Sequence, residues 1–409
     1  MTTRSSRSRD SVIGTRPTIT FPLAVVLAVA GGIAIGNLYW AQPLLLQIAE
    51  SFGVPVAEAG VLVTATQIGY ALGILLIVPL GDVVDRRRLL AVVMIASAAS
   101  LLASSLAPTF LILALAFAAV GLTTVSGQII LPMVGDLAEP KERGRLVGIV
   151  TAGGTTGILL SRTISGIIAS FAGWRSVYAM AVALNLALAF VIYFSVPSQP
   201  ARSKTPYGKL IVSVFQLTAR IRPMRRILLM QGCAFLVFNG FWTSATFLLS
   251  APPFHFGTFQ IGLVSLAGLA GAAASSSVGR LMDRGIGVKS LGAFAALYAT
   301  SMLVASAAGA SVVVFVIAAA IMAVAFQGMA ILCQTTLFSL QPGARSRLNT
   351  AFVVSNFLFG AVGSAVASSL WNTLGWPGLC LCCSLVMLVA CGIWAFSRKM
   401  ISEAVATEQ

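Results

Sequence analysis

Apolar runs of about twenty residues or more, separated by short basic clusters, fill this chain from about residue 20 to residue 398. A run of that length crosses the roughly 30 Å hydrocarbon core of a bilayer as one helix. Hydrocarbon offers no water to backbone N–H and C=O groups, so only helices and closed barrels can cross it. A barrel would show alternating segments of roughly ten residues, and the runs here are longer and unbroken. Of the 409 residues 58% are hydrophobic and only 9% charged, against about 25% charged in an ordinary soluble domain. That is too little charge to clothe a water-facing surface. The chain therefore reads as an all-α membrane protein, with length for twelve transmembrane helices.

The runs place spans 1 to 6 near 22–48, 57–80, 89–107, 109–133, 146–171 and 175–196, and spans 7 to 12 near 227–250, 258–280, 288–309, 311–336, 348–371 and 375–397. The expected units are a polar tail at 1–20, a six-helix bundle at 21–196, a basic linker at 197–226, a second six-helix bundle at 227–398 and a tail at 399–409. With this count every basic cluster falls on one side of the membrane. Of the 26 Lys and Arg residues only Arg162 and Arg175 lie elsewhere. By the positive-inside rule both termini and the linker are cytoplasmic. The net charge of +15 is thus a topology signal and not a nucleic-acid surface. The six cysteines sit inside apolar runs without paired loop spacing and read as packing residues. The N-terminal tail carries Arg4, Arg7, Arg9 and Arg16 with no small-residue cleavage site after it, and reads as a cytoplasmic tail before an uncleaved first helix.

The two halves repeat. Gly81-x-x-x-Asp85-Arg86 after span 2 recurs 198 residues on, as Gly279-x-x-x-Asp283-Arg284 after span 8. Arg143-x-Arg145-Leu146 at the start of span 5 recurs 202 residues on, as Arg345-x-Arg347-Leu348, and Gly173-Trp174 recurs at the same offset as Gly375-Trp376. Three landmarks in order at nearly constant spacing indicate duplication of a six-helix unit, a plan of membrane carriers that bind solute between their repeats. The expected fold is two pseudo-symmetric six-helix bundles.

The stretch from Gly81 through Asp85, Arg86 and Arg88 resembles the signature loop of the major facilitator superfamily, with Gly279 to Arg284 as its degenerate second copy. Arg88 and Ile286 stand where that signature has its second glycine. Asn37 to Pro43, Thr64 to Gly73 and Gly157 to Gly166 are similar to a bacterial branch that exports drugs, sugars such as arabinose, and purine ribonucleosides. The resemblance covers about residues 20–398. It implies a monomeric carrier in the bacterial inner membrane that moves a small molecule by alternating access. Coupling to protons is an extrapolation from the branch. Span 4 lacks the antiporters' Arg while keeping Gln128, and span 5 has Gly153, Gly154 and Gly157 without the Pro of their motif.

A carboxylate beside a helix N-terminus can bond its free N–H groups and offset its dipole. Asp85 is expected to engage the start of span 11 at Arg345, and Asp283 the start of span 5 at Arg143, as crossed latches on the cytoplasmic side. Arg162 lies about 24 Å along span 5 from Leu146 at 1.5 Å per residue. An Arg at depth costs at least roughly 2.5–3.5 kcal/mol on insertion scales, so it faces a cavity or a partner unless it snorkels outward. Its counterpart in the second half is Ser364, so it belongs to no shared scaffold. Amides and aromatics elsewhere in the spans need partners and face the interior. They are Asn37, Tyr39 and Gln42 in span 1, Gln67 and Tyr70 in span 2, Gln128 in span 4, Gln231, Asn239 and Trp242 in span 7, and Gln327 and Gln334 in span 10. Spans 1, 4, 7 and 10 line the cavity in the family that the chain resembles.

The glycine runs have no strand and no Lys-Ser/Thr beside them, so they are helix contacts and not nucleotide loops. An enzyme would need His, Cys or carboxylates clustered at depth, and the chain has one His, His255, in an outer loop. No cofactor or metal site is expected. The leading reading is export of a small organic solute that is drug-like, sugar-like or nucleoside-like. Facilitative uptake, solute exchange and a non-transporting sensor stand as alternatives.

Overall fold

The computed structural model describes residues 19–139, 141–199, 206–283 and 286–406. Among the described residues there are helices and turns and no strand. Nine helices among the described residues are long and apolar enough to cross a membrane, and a tenth is the bent pair Arg143–Ile158 and Leu160–Ala172. The apolar helix Phe21–Gly36 is shorter. The helix assigned across Arg345–Ala406 is two, because Gly375 inside it has φ 61° and ψ −169°. Together these make twelve apolar segments at the places that the sequence indicates.

Four of the segments differ from the plain helices expected. Span 1 ends as an α-helix at Gly36, turns through residues 37–41, and resumes as Gln42–Leu44 and Leu45–Phe52. Pro43 stands in that break, where its missing N–H costs no helical hydrogen bond. Span 4 is Phe110–Thr123 followed by Ser126–Leu137. Span 8 is Thr258–Val264, a 3-10 turn at Ser265–Gly268, and Leu269–Asp283. Span 7 starts at Arg222 instead of 227 and runs to Ser250, buried nearly all round at the centre of the molecule. The stretch expected as a polar linker carries a helix of its own, Tyr207–Arg220, which buries Val214 and donates from the Tyr207 hydroxyl to the Leu76 carbonyl.

The repeated Gly-Trp pair has one structural meaning in both halves. Gly173 (φ 78°) and Gly375 (φ 61°) adopt left-handed turns that a side chain would strain. Each turns the chain so that the next Trp enters a core. Trp174 packs edge-on to Tyr178 and tilted against Phe52, and donates to Ser51 Oγ at 2.9 Å. Trp376 packs on Phe241 and Phe315 and donates to the Ala305 carbonyl at 2.7 Å.

Spans 1 and 5 approach backbone to backbone. A Cβ on Gly157 would lie 2.1 Å from the Gly32 carbonyl oxygen, whereas one on Gly31 would meet nothing within 4 Å. Apolar lipid gives these helices no hydrophobic drive to associate, so close packing supplies the attraction. Gly157→Ala should lower the thermal unfolding midpoint of the detergent-purified protein, at the overpacking cost of about 1–3 kcal/mol. Gly31→Ala should leave it unchanged. Equal midpoints for the two variants would show that this contact is not tight.

Candidate substrate cavity

The break in span 1 turns Tyr39 and Gln42 toward the molecular centre, where span 5 delivers Arg162. Arg162 is 1% exposed and does not snorkel to a surface. Its Nε donates to Gln42 Oε1 at 2.5 Å and its Nη1 to the Ile158 carbonyl at 3.3 Å. Three rings surround the guanidinium, with Tyr39 at 4.8 Å, Trp242 at 4.9 Å and Phe238 at 5.6 Å from its carbon to the ring centre. Ring faces attract a cation, more strongly where water is excluded. Arg162 Nη2 and Gln42 Nε2 are buried and have no hydrogen-bond partner.

Beside this cluster lies a cavity of about 550 Å³, its open mouth included, lined also by Thr155, Phe235, Gly271, Phe326 and Gln327. Of the expected cavity residues, Tyr39, Arg162, Trp242 and Gln327 line it, and Gln42 joins them through Arg162. No Asp or Glu is among its lining residues. Sequence reasoning did not single out Phe235, Phe238 or Phe326. The first two stand with Trp242 at i, i+3 and i+7, one face of span 7, and that spacing was the available signal.

The other expected cavity residues bridge helices. Asn37 donates to Thr124 Oγ1 at 3.0 Å and accepts from Trp40 Nε1 at 2.8 Å, which ties span 1 to span 4. Gln67 donates to Asn239 Oδ1 at 2.9 Å and joins span 2 to span 7. Gln128 donates to the Tyr70 hydroxyl at 3.3 Å and accepts from Asn349 at 3.4 Å, while Gln334 donates to Asn349 Oδ1 at 3.1 Å. Asn349 in span 11 thus links amides of spans 4 and 10. It went unnoticed in the sequence because it sits in the first turn after a basic cluster, where a polar residue is ordinary.

The halves are closed against each other on the face away from the basic clusters. There Leu45, Ala49, Ala59 and Val63 of the first half enclose Phe247 of the second, with Trp371 packed alongside. Thr163 Oγ1 donates to the Gly262 carbonyl at 3.0 Å, and Thr246 Oγ1 to the Gln42 carbonyl at 2.7 Å. Toward the basic face, Arg143, Arg145 and Thr151 of span 5 are exposed.

The Asp85 arm of the expected latch has other partners. Asp85 caps its own helix by accepting from the Arg87 N–H at 2.9 Å, and it accepts from the Ser198 hydroxyl and from the Gln199 N–H at 3.3 Å. It therefore holds the chain leaving span 6 and does not meet span 11, where Arg345 is exposed. Arg86 turns inward. It donates to the Gly81 carbonyl at 2.9 Å and pairs with Asp82 at 3.0 Å and Asp136 at 2.8 Å, pinning the loop to the end of span 4. Arg88 is exposed. Arg284 and the side chain of Asp283 lie outside the described residues, as do the surroundings of Gly279.

A helical bundle of this kind, with a cavity at mid-depth between its halves, is that of a multi-pass membrane transport protein. The sequence pattern of the Major Facilitator Superfamily matches residues 27–358, and the chain belongs to that family. It is 35% identical over 372 residues to the uncharacterized transporter YgaY of Escherichia coli O157:H7, covering 91% of this chain and 94% of that one. It is 26% identical over 184 residues to a protein of Pasteurella multocida (strain Pm70) named "probable sugar efflux transporter", covering 45% of this chain and 46% of that one. The fold matches the crystal structure of a D-xylose-proton symporter with a TM-score of 0.73 at 15% identity, over 92% of this chain and 98% of that one.

Partial burial works to raise the Asp85 pKa. The hydrogen bonds from Ser198, Gln199 and Arg87 and the charge of Arg87 outweigh it and hold the carboxyl below its usual value. A depressed folded-state pKa gives an interaction that is complete above the unfolded value and lost as pH falls through the folded one. The protection of the Gln199 amide, its exchange rate set against the intrinsic rate at the same pH, should therefore be present at neutral pH and fall under acid. Asp85→Asn should show the lower protection already at neutral pH. Identical protection in that variant would mean that Asp85 does not hold the linker.

Proposed function

We propose that the chain is a secondary transporter that exports a small organic solute by alternating access, its halves at 21–196 and 227–398 rocking about the central cavity. The observation that carries this reading is the cavity itself, which holds a buried Arg162 and is shut by packed side chains on the face away from the basic clusters. The basic clusters support cytoplasmic termini in a bacterial inner membrane, which makes the closed face the outer one. The protein acts as a monomer. Export, with a sugar-like or drug-like solute among the candidates, draws on the resemblance of spans 1, 2 and 5 to efflux carriers and on the relative named for sugar efflux.

The crossed latch belongs to the opposite conformation. When the halves close on the basic face, Asp85 exchanges Ser198 and Gln199 for the start of span 11 near Arg345, and Asp283 approaches span 5 near Arg143. Span 5 there is bare in the present conformation, which leaves room for that approach.

Coupling has two readings. Proton antiport follows the efflux branch. Exchange of two solutes, or facilitated movement of one, is favoured by a cavity lining without carboxylates, since membrane proton carriers are usually Asp, Glu or His. In proteoliposomes a solute panel should include one that moves. Arg162→Ala should abolish that flux while the protein still inserts and purifies. Imposing a pH gradient separates the couplings, because flux indifferent to it removes proton antiport. No flux for any solute would favour a sensor.

A further inference from the structure

We infer that the cavity binds an organic carboxylate, with the anionic head on Arg162 and Gln42 and an apolar body against the rings of spans 7 and 10. This rests on reading the cavity as the transport site. The first support is a count of hydrogen-bonding capacity. Gln42 Oε1 is occupied by Arg162 Nε. What remains around the guanidinium is Arg162 Nη2 and Gln42 Nε2, both donors, both buried and both without a partner, with Gln42 behind the lining residue Arg162. Neither group can accept. A solute head made only of acceptors completes the pair, whereas a neutral polyol would bring hydroxyl hydrogens that these two groups cannot take.

The second support is charge. Arg162 is a full positive charge, 1% exposed, and no Asp or Glu lines the cavity around it. The rings of Tyr39, Trp242 and Phe238 stabilise the cation through their faces, but they leave the net charge uncancelled. A buried charge is costly unless it is paired, and a carboxylate from the solute would neutralise it. Hydrogen bonds between charged partners are shorter and roughly twice as strong as neutral ones.

The third support is shape. Away from Arg162 the walls include Phe235, Phe238, Phe326 and Ile158, with Phe238 and Phe326 stacked at 4.3 Å. Walls of this kind suit an apolar or aromatic body.

The test is binding, measured apart from transport. The full-length protein in detergent is titrated with matched pairs: benzoate and benzamide, phenylacetate and phenylacetamide, indole-3-acetate and its amide, hexanoate and hexanamide. The readout is the thermal unfolding midpoint. At least one acid should raise the midpoint at a concentration about tenfold to a hundredfold below its amide, as charged hydrogen bonds imply. Arg162→Gln should erase that preference. Gln42→Glu should erase it too, because the new carboxylate occupies the guanidinium from within, and this variant should keep or raise the unliganded midpoint. It therefore serves if Arg162→Gln fails to fold. Acids no better than amides in every pair, no shift with any acid, or a preference that survives Gln42→Glu would overturn the assignment. Acid preference without flux in vesicles would sink the transport reading alone, and flux of neutral solutes without acid preference would sink this inference alone.

Discussion

Hydrocarbon cannot hydrogen-bond a peptide group, and the architecture answers to that constraint. Continuous helices meet it with their own ladder. The broken spans need outside partners, and hydroxyl side chains of neighbouring helices supply them. Thr124 Oγ1 donates to the Ala34 carbonyl at 3.3 Å, Thr246 Oγ1 to Gln42 at 2.7 Å and Thr163 Oγ1 to Gly262 at 3.0 Å. Each bond lies at or beside an interruption in span 1, 4 or 8. Irregular backbone survives at membrane depth only where protein surrounds it, so breaks and inter-helix contacts come together. The break in span 1 is also what lets Tyr39 and Gln42 meet Arg162, so the cavity depends on the same local loss of helix.

Much of this was legible in the sequence because it follows from period and charge. Twelve apolar segments, the placing of the basic residues and the duplication are properties of the chain's order, and the helices of the structure fall where the runs are. Gly173-Trp174 and Gly375-Trp376 were visible as a repeat before their shared left-handed turn was known. Arg162 stood out because an unpaired cation at depth is costly wherever it lies. The interruptions were not legible, since residues 37–41 and 265–268 remain apolar enough to continue a run. The helix Tyr207–Arg220 was missed for the converse reason. Its charges mask a face that buries Val214.

Side-chain partners were the least legible. A carboxylate at a helix end has several donors within reach, and sequence does not say which conformation of a moving protein will be present. Asp85 is the instructive case. The reasoning that a carboxylate there bonds N–H groups holds, but the groups are those of Arg87 and Gln199. Among the interior amides, Asn37, Gln67 and Gln128 have the bridging role open to any amide in lipid. Only Gln42 is committed to the cation.

The duplication finally locates the cavity by contrast. The offset of 202 carries Arg162 to Ser364, and the offset of 198 carries Thr64 to Gly262. Across the halves the structure brings Arg162 to Gly262 and Thr64 to Ser364. A Cβ on Gly262 would stand 2.9 Å from the Arg162 carbonyl oxygen, and Thr64 Oγ1 bonds Ser364 Oγ at 2.8 Å. These are symmetry-related positions with different contents. Where the pair is two hydroxyls, the side chains satisfy each other and spans 2 and 11 close, continuing down to Tyr70 and Phe357 with ring centres 4.3 Å apart. Where the pair is Arg and Gly, the glycine lets spans 5 and 8 approach backbone to backbone, and the guanidinium lies in the space bounded by Tyr39, Phe238 and Trp242. A duplicated scaffold would by default give two equivalent seams. Both seams are closed, and the one that carries a cation in place of a hydroxyl also borders the charged cavity.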